Sequence, residues 1–159
     1  MKIFVRRADR GDLRKIQKLF VETVKSVNSK DYSSEKIATW ASRGSDNNFW
    51  NYKLNEEHFF VAEHDGELVG FTSITDLGYI DFMYVHKDYQ RKGIGRALLN
   101  AVEEVAEELD VENLYSHVSI TARPFFENFG FIVVEEQQRK INEHSFVSLL
   151  MMKKKEVYN

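Results

Sequence analysis

Between Gln90 and Arg96 the chain reads Gln-Arg-Lys-Gly-Ile-Gly-Arg, so three cations and two glycines fall together just ahead of a helical pattern. That helix has its charges reversed. Arg91, Lys92 and Arg96 stand at its N-terminus, while Glu103, Glu104, Glu107 and Glu108 stand at its far end. A helix dipole favours acids first and bases last, by roughly 0.3–1 kcal/mol per charge. A bound anion accounts for the reversal, because free N–H groups, a positive dipole end and cations all attract phosphate. The plainer alternative is a solvated, charged helix after a glycine turn.

Three phosphate-binding patterns can be tried on Gly93-Ile94-Gly95. A P-loop needs G-x-x-x-x-G-K-[ST], which is absent. A dinucleotide fingerprint needs a third small residue where this chain has Leu98. A Q/R-x-x-G-x-G/A turn between a strand and a long helix is matched in full by Gln90 to Gly95. A side chain added at Gly93 or Gly95 is expected to block an anion there and spare the fold.

The elements that must position this turn follow from periodicity. Ile3 to Arg7 predicts a first strand. Asp9 and Asp12 cap a helix whose apolar face is Leu13, Ile16, Phe20, Val24 and Val27. A shorter helix starts at Ser34, with Ile37, Trp40 and Ala41 at helical spacing, and residues 44–57 give no assignment. His58–His64 and Glu67–Thr75 flank Asp65-Gly66, a strong hairpin signal. Gly78–Val85 is a strand, and Ile94, Leu98, Ala101, Val102, Val105 and Leu109 face the core from the next helix. Asn113–Val118, Phe131–Glu136 and Ser145–Met152 read as strands, and Thr121–Asn128 as a short helix. The strands on either side of the long helix form a β-α-β unit and are expected to be parallel. The fold class is α/β in the mixed α+β sense: one domain over 1–159, with a mainly antiparallel sheet and one central parallel pair.

Composition narrows the function. With 43% hydrophobic and 30% charged residues, the chain of 159 is long enough to bury a core. It has no Cys, and its five His show no HExxH-like spacing, so thiol chemistry and a metal site are not expected. The apolar run in Met-Lys-Ile-Phe-Val-Arg-Arg is too short for a signal peptide. Nothing approaches the ~20 apolar residues that span a bilayer. The expectation is a cytoplasmic protein without membrane partners. A net charge of −3 argues against non-specific nucleic-acid binding. Lys153-Lys154-Lys155 reads as a solvated end after the last strand.

Taken in order, the hairpin at Asp65-Gly66, the strand Tyr79-Ile80-Asp81-Phe82-Met83-Tyr84-Val85, the turn Gln90 to Gly95 and the segment Ala122-Arg123-Pro124-Phe125-Phe126-Glu127-Asn128-Phe129-Gly130-Phe131 resemble the GCN5-related N-acetyltransferases. The resemblance covers most of the chain. It implies acetyl-CoA as co-substrate, no metal, and acetyl transfer to a primary amine in a ternary complex. By the same resemblance, backbone N–H groups from Arg91 through Arg96, including Lys92, Gly93, Ile94 and Gly95, cradle the pyrophosphate beside Gln90. Met83 and Val85 would pair with the pantetheine arm, in the gap where the parallel strands splay. Ser119 and Asn128 fall at positions near the coenzyme, Ser119 standing where relatives often carry Asn.

Transfer to an amine needs a proton acceptor, a polarised carbonyl and a proton for the thiolate. Asp81 stands where similar proteins often carry an acid, and is read as the base; its alternative is a structural acid capping a nearby N–H. Alternation places it on one face with Tyr79, Met83 and Val85. A backbone N–H from Met83–Val85 could serve the carbonyl. Relatives often place Tyr where this chain has Phe126, so the thiolate's donor is sought in Tyr84, with Tyr115, Ser119 or solvent as alternatives. Tyr32 and Trp40 are read as acceptor-pocket walls, with Phe49, Trp50 and Tyr52 as further candidates. These features resemble a bacterial small-molecule subgroup, so the expected partner is a small amine, with a homodimer left open. A protein N-terminus, a lysine, an aminoacyl-tRNA, or acyl-CoA sensing without turnover are the competing readings.

Overall fold

Asp65 and Gly66 both take positive φ, 50° and 77°, as a two-residue primed hairpin turn requires. They join β2 (His58–His64) to β3 (Glu67–Ile74). In the computed structural model, which describes residues 1–155, that hairpin is the centre of a four-stranded antiparallel sheet. Its order is β1-β2-β3-β4, with β1 at Phe4–Arg7 and β4 at Ile80–Val85. A second antiparallel sheet runs β5-β7-β6, with β5 at Asn113–Val118, β6 at Ile132–Ile141 and β7 at His144–Lys154. A parallel bridge between Tyr79 and Tyr115 joins the two sheets.

Helices cover both faces. On one side, α1 (Leu13–Ser26), α2 (Ser34–Ser42) and α3 (Asn47–Glu56) bury Ile16, Phe20, Val24 and Trp50 against Phe59, Phe71 and Phe82. On the other, α4 (Ile94–Glu108) buries Ile94, Leu98, Leu99 and Val102 against Val69, Ile74 and Ile80. The short α5 (Arg123–Asn128) adds Phe126 to this second core. No helix among the described residues is long and apolar enough to cross a membrane.

Several elements differ from the sequence-based expectation, each for a local reason. The Asp9–Asp12 capping box forms, but it caps a single 3₁₀ turn, and α1 proper starts at Leu13. Asp12 is buried because it also takes both guanidinium nitrogens of Arg6 at 2.8 Å. Residues 47–56, within the unassigned stretch, form α3, capped by Asp46 accepting from Phe49 N–H at 3.1 Å. Its apolar residues are mostly aromatic and only Trp50 is buried, so no clear amphipathic stripe marks it. β6 runs five residues past Glu136, because Gln137–Ile141 pair with Ser148–His144 along the backbone, helped by Ser145 Oγ donating to Gln138 Oε1 at 2.7 Å. The lysine run is no free end. Lys153 and Lys154 belong to β7, with Lys153 Nζ 2.7 Å from Glu103 and Lys155 Nζ 3.5 Å from Asp110. Glu103 is therefore paired, and the other acids at that end of α4 are exposed.

One irregularity matters most. In the β3–β4 register Ser73 faces Phe82 and Ile74 faces Ile80, leaving Asp81 as an extra residue. This bulge breaks the expected alternation. Ile80, Met83 and Val85 join the α4 core and Phe82 and Tyr84 the α1–α3 core, so Asp81 does not share a face with Met83 and Val85 in the simple way predicted.

α4 can lie close to the sheet because β3 carries Gly70. A Cβ there would sit 2.9 Å from Ile94 Cγ2, 3.0 Å from Leu98 Cδ1 and 3.1 Å from the Tyr84 carbonyl. Gly70→Ala is expected to cost about 1–3 kcal/mol by overpacking. Urea unfolding should show a lower midpoint at unchanged slope.

Candidate active site

The glycine turn presents an unpaired set of donors. Gly93 is the N-cap of α4 at φ 86°, with no side chain to satisfy the first-turn amides. Among the described residues no backbone carbonyl accepts from the N–H groups of 91–96, and the first helical bond runs from Ala97 to Gly93. Arg91 is also left-handed, at φ 59°. Among the described residues Arg91, Lys92 and Arg96 have no carboxylate partner; Lys92 lies over the Tyr89 ring and Arg96 over Phe129, each 5.7 Å from the centroid. Exposed cations beside free amides and a positive dipole end can hold a polyanion.

The two glycines do different work, contrary to the expectation that they are equivalent. A Cβ on Gly93 would meet nothing, so its requirement is the positive φ. A Cβ on Gly95 would lie 2.5 Å from the Phe125 ring, so Gly95 permits α5 to pack on the first turn of α4. A side chain at Gly95 would disturb that packing. Gln90 turns inward, its Nε2 donating to the Val85 carbonyl at 2.6 Å.

Beyond the Tyr79–Tyr115 bridge, Ser116 Oγ donates to the Ile80 carbonyl at 2.7 Å, and there the ties between β4 and β5 end. The Phe82 carbonyl accepts from Thr72 Oγ1 and His86 N–H donates to Val69, so these even-numbered groups face β3. By alternation, the backbone polar groups of Met83 and Val85 face the gap. The resulting cleft, of about 190 Å³, is lined by Met83, Val85, Gln90, Ser119, Phe125 and Phe126 among others. Phe126 is buried, edge-on to Phe125 and Phe131, and supplies apolar wall only. Ser119 Oγ accepts from Ala122 N–H at 3.1 Å while facing the cleft. Asn128 is exposed at the end of α5 and does not line it.

A second cavity, of about 220 Å³, opens beside the first. Tyr32, Trp40 and Phe146 form an aromatic wall, their centroids 5.4–5.9 Å apart. The Tyr32 hydroxyl accepts from Ile120 N–H at 3.0 Å, tying this wall to the segment after β5. Phe49 also lines the cavity, whereas Trp50 is core and Tyr52 is 63% exposed. Trp40, Asp81, Tyr84, His117 and Ser119 line both spaces, so the two cavities meet at these side chains. Tyr115 lines neither; its ring packs on Tyr79 at 5.2 Å.

Asp81 is held in a small charged cluster. Its Oδ2 is buried 2.8 Å from Lys53 Nζ, although off the angle of a good hydrogen bond. Lys53 Nζ is also 3.4 Å from Glu57 Oε2, and Ser73 Oγ donates to Glu57 Oε1 at 2.7 Å. Burial, then the neighbouring Asp81, push the Glu57 carboxyl up to about 7. Burial works against the Lys53 charge, but Asp81 and Glu57 outweigh it and raise its pKa. Burial likewise holds the Tyr84 phenol above its usual range, so it stays protonated. Burial, with the charge of Arg139, pushes His117 below its ordinary value, and its Nδ1 lies 3.0 Å from the Tyr79 hydroxyl. Lys53, Glu57, His117 and Phe146 were not legible as site residues. Lys53 and Glu57 carried a signal, an i,i+4 pair, hidden because α3 shows no clear amphipathic stripe.

The family described as an acetyltransferase (GNAT) domain matches residues 28–155. The uncharacterized N-acetyltransferase YafP of Escherichia coli is 33% identical over 94% of both chains. The peptidyl-lysine N-acetyltransferase YiaC of the same organism is 27% identical over 82% of this chain and 84% of its own. A GCN5-related N-acetyltransferase structure from Rhodopseudomonas palustris superposes with a TM-score of 0.93 at 27% identity, covering 97% of this chain and 96% of that one. A Thermoplasma acidophilum PaiA N-acetyltransferase, solved in complex with coenzyme A, gives 0.80 at 23% identity over 98% and 100%. The chain belongs to the GNAT acetyltransferase family. It is an acetyl-CoA-dependent N-acetyltransferase of that type.

Glu57 gives the site a signature in stability. Its carboxyl titrates at 4.5 when unperturbed and at about 7 in the fold. The folded state therefore binds more protons than the unfolded state between those values, and stability falls as pH rises through that window. The expected loss through this group is about 1–2 kcal/mol, roughly half the full linkage value because solvent and Lys53 screen it. Glu57→Gln should flatten this slope in denaturation curves taken across the window.

Proposed function

We propose that the protein transfers the acetyl group of acetyl-CoA to a primary amine of a small molecule, by direct attack with both substrates bound. One observation carries the reading: a cleft with an open strand edge and a separate aromatic cavity meet at Asp81, Tyr84, His117 and Ser119. Acetyl-CoA supplies an activated thioester. The amides of 91–96, with Arg91, Lys92 and Arg96, fit its pyrophosphate. The edge of Met83 and Val85, left open by β5, suits the amides of the pantetheine arm, with Gln90 Nε2 on the Val85 carbonyl at its end, and Ser119 lines the same cleft. Phe125 and Phe126 add apolar wall there.

Asp81 receives the acceptor amine and, with Glu57 behind it, takes its proton. Glu57, whose carboxyl burial and the neighbouring Asp81 push up to about 7, can hold that proton near neutrality. A Met83 or Val85 N–H on the gap edge can polarise the acetyl carbonyl. Tyr84, protonated and common to both spaces, fills the donor role that Phe126 cannot. Tyr32 and Trp40 wall the acceptor. The modest size of the cavity favours a small amine. The likeness to a peptidyl-lysine enzyme makes a protein lysine the second reading.

Thiol release from acetyl-CoA over a panel of small amines and lysine peptides separates these readings. Turnover of a small amine that falls about 100-fold in Asp81→Asn and about 10–100-fold in Tyr84→Phe supports the assignment. Turnover of peptides alone would move the substrate class. Coenzyme binding without any turnover would leave a sensor. The acid limb of kcat/KM against pH should fall near 7 and move in Glu57→Gln.

Gly93→Val tests the anion site separately. Its side chain and lost positive φ should weaken coenzyme affinity in calorimetry by about tenfold or more. Unchanged affinity in a folded variant would remove the glycine turn from the coenzyme site.

A further inference from the structure

The wall of the acceptor cavity carries more positive charge than its chemistry requires. The charged groups and the histidine facing it are Arg43 after α2, Lys53 on α3, Asp81 on β4, His117 on β5, and Arg139 and Lys140 on β6, beside the phenols of Tyr32, Tyr79 and Tyr84. Asp81 and Lys53 are paired at 2.8 Å, with Glu57 behind the lysine. That leaves Arg43, Arg139 and Lys140, none of which has a carboxylate within 4.0 Å among the described residues. Arg43 is propped over the Phe49 ring at 5.7 Å, and Arg139 Nη1 stands 3.5 Å from the Tyr79 hydroxyl. Three unpaired cations lining one small concavity repel one another, in a chain whose net charge is −3. Acids are plentiful elsewhere, yet none is set against them.

We infer that the acceptor carries an oxyanion, a carboxylate or a phosphate, a few bonds from its amine: the amine meets Asp81 while the anion is held by Arg43, Arg139 and Lys140. The inference rests on the proposed acetyl transfer and deepens it. Two guanidinium groups from different elements offer forked donors that match a carboxylate or phosphate better than an ammonium could. A diamine is opposed, since its second cation would join three that already lack partners.

The test compares 4-aminobutyrate with 1-butylamine and 1,4-diaminobutane, and O-phosphoethanolamine with ethanolamine, by kcat/KM at low and raised salt. The anionic member of each set should be favoured by about tenfold or more, with the diamine poorest and the preference fading with salt. The two sets show whether carboxylate or phosphate is preferred. Arg139→Gln and Arg43→Gln should each shrink the ratio toward one, while Arg139→Lys keeps part of it. A structural role would lower all acceptors together and leave the ratio standing. Equal or better turnover of the non-anionic amines in both sets would overturn the inference while leaving the transferase reading intact. Should nothing turn over, calorimetry on the protein saturated with coenzyme A still decides. Tighter binding of 4-aminobutyrate than of butylamine, lost in Arg139→Gln, would uphold the anion site even as the transferase reading fell. Equal binding would end both.

Discussion

β4 and β5 run side by side only as far as Tyr79 and Tyr115, with Ser116 Oγ reaching Ile80 as the last tie. From there each strand is satisfied on its outer side, β4 by β3 and β5 by β7, and each leaves an inner edge of backbone polar groups. Such edges are costly when they are both buried and unpaired. α4 packs on one side of the parting and α1–α3 on the other, so the edges cannot simply close on each other. An extended, amide-bearing chain is what we propose for that gap. The glycine turn, the aromatic wall and the charged cluster all take their positions from this one divergence.

The bulge at Asp81 is the second constraint, and it works on a smaller scale. An unbulged strand would present alternate side chains strictly to opposite faces, and position 81 would follow Met83 and Val85. The extra residue instead lets an acid leave the α4 core and reach Lys53 and Glu57, while its neighbours keep their places in two separate cores. The carboxyl whose proton affinity moves most is Glu57, one residue beyond α3. The charge that governs Asp81 thus comes from a helix far from it in sequence.

Much of this was legible from residue types. The Asp65-Gly66 hairpin, β5, the long helix after the glycines and the parallel relation of the flanking strands all follow from period and turn chemistry. Residues 34–42 also form the helix that their spacing predicts. α3 escaped because its buried face is a single Trp, and the far half of β6 because Gln137 to Lys140 show no apolar alternation. The glycine turn was visible, but the difference between Gly93 and Gly95 was not, since the neighbour of Gly95 is Phe125 from a distant segment. Lys53, His117 and Phe146 reach the site through long-range packing that no local pattern encodes.

Among the described residues β6 pairs as a strand only with β7, and Arg139 and Lys140 sit near the tip of that two-stranded ribbon. The glycine turn, the open edge of β4 and the α4 core have no stake in the ribbon's tip. Its residues can therefore be exchanged, lengthened or shortened in descendants of this chain without reworking the glycine turn and cleft that we propose for the acyl donor. With the sites proposed above, the architecture separates what is given from who receives it, and leaves the second free to drift.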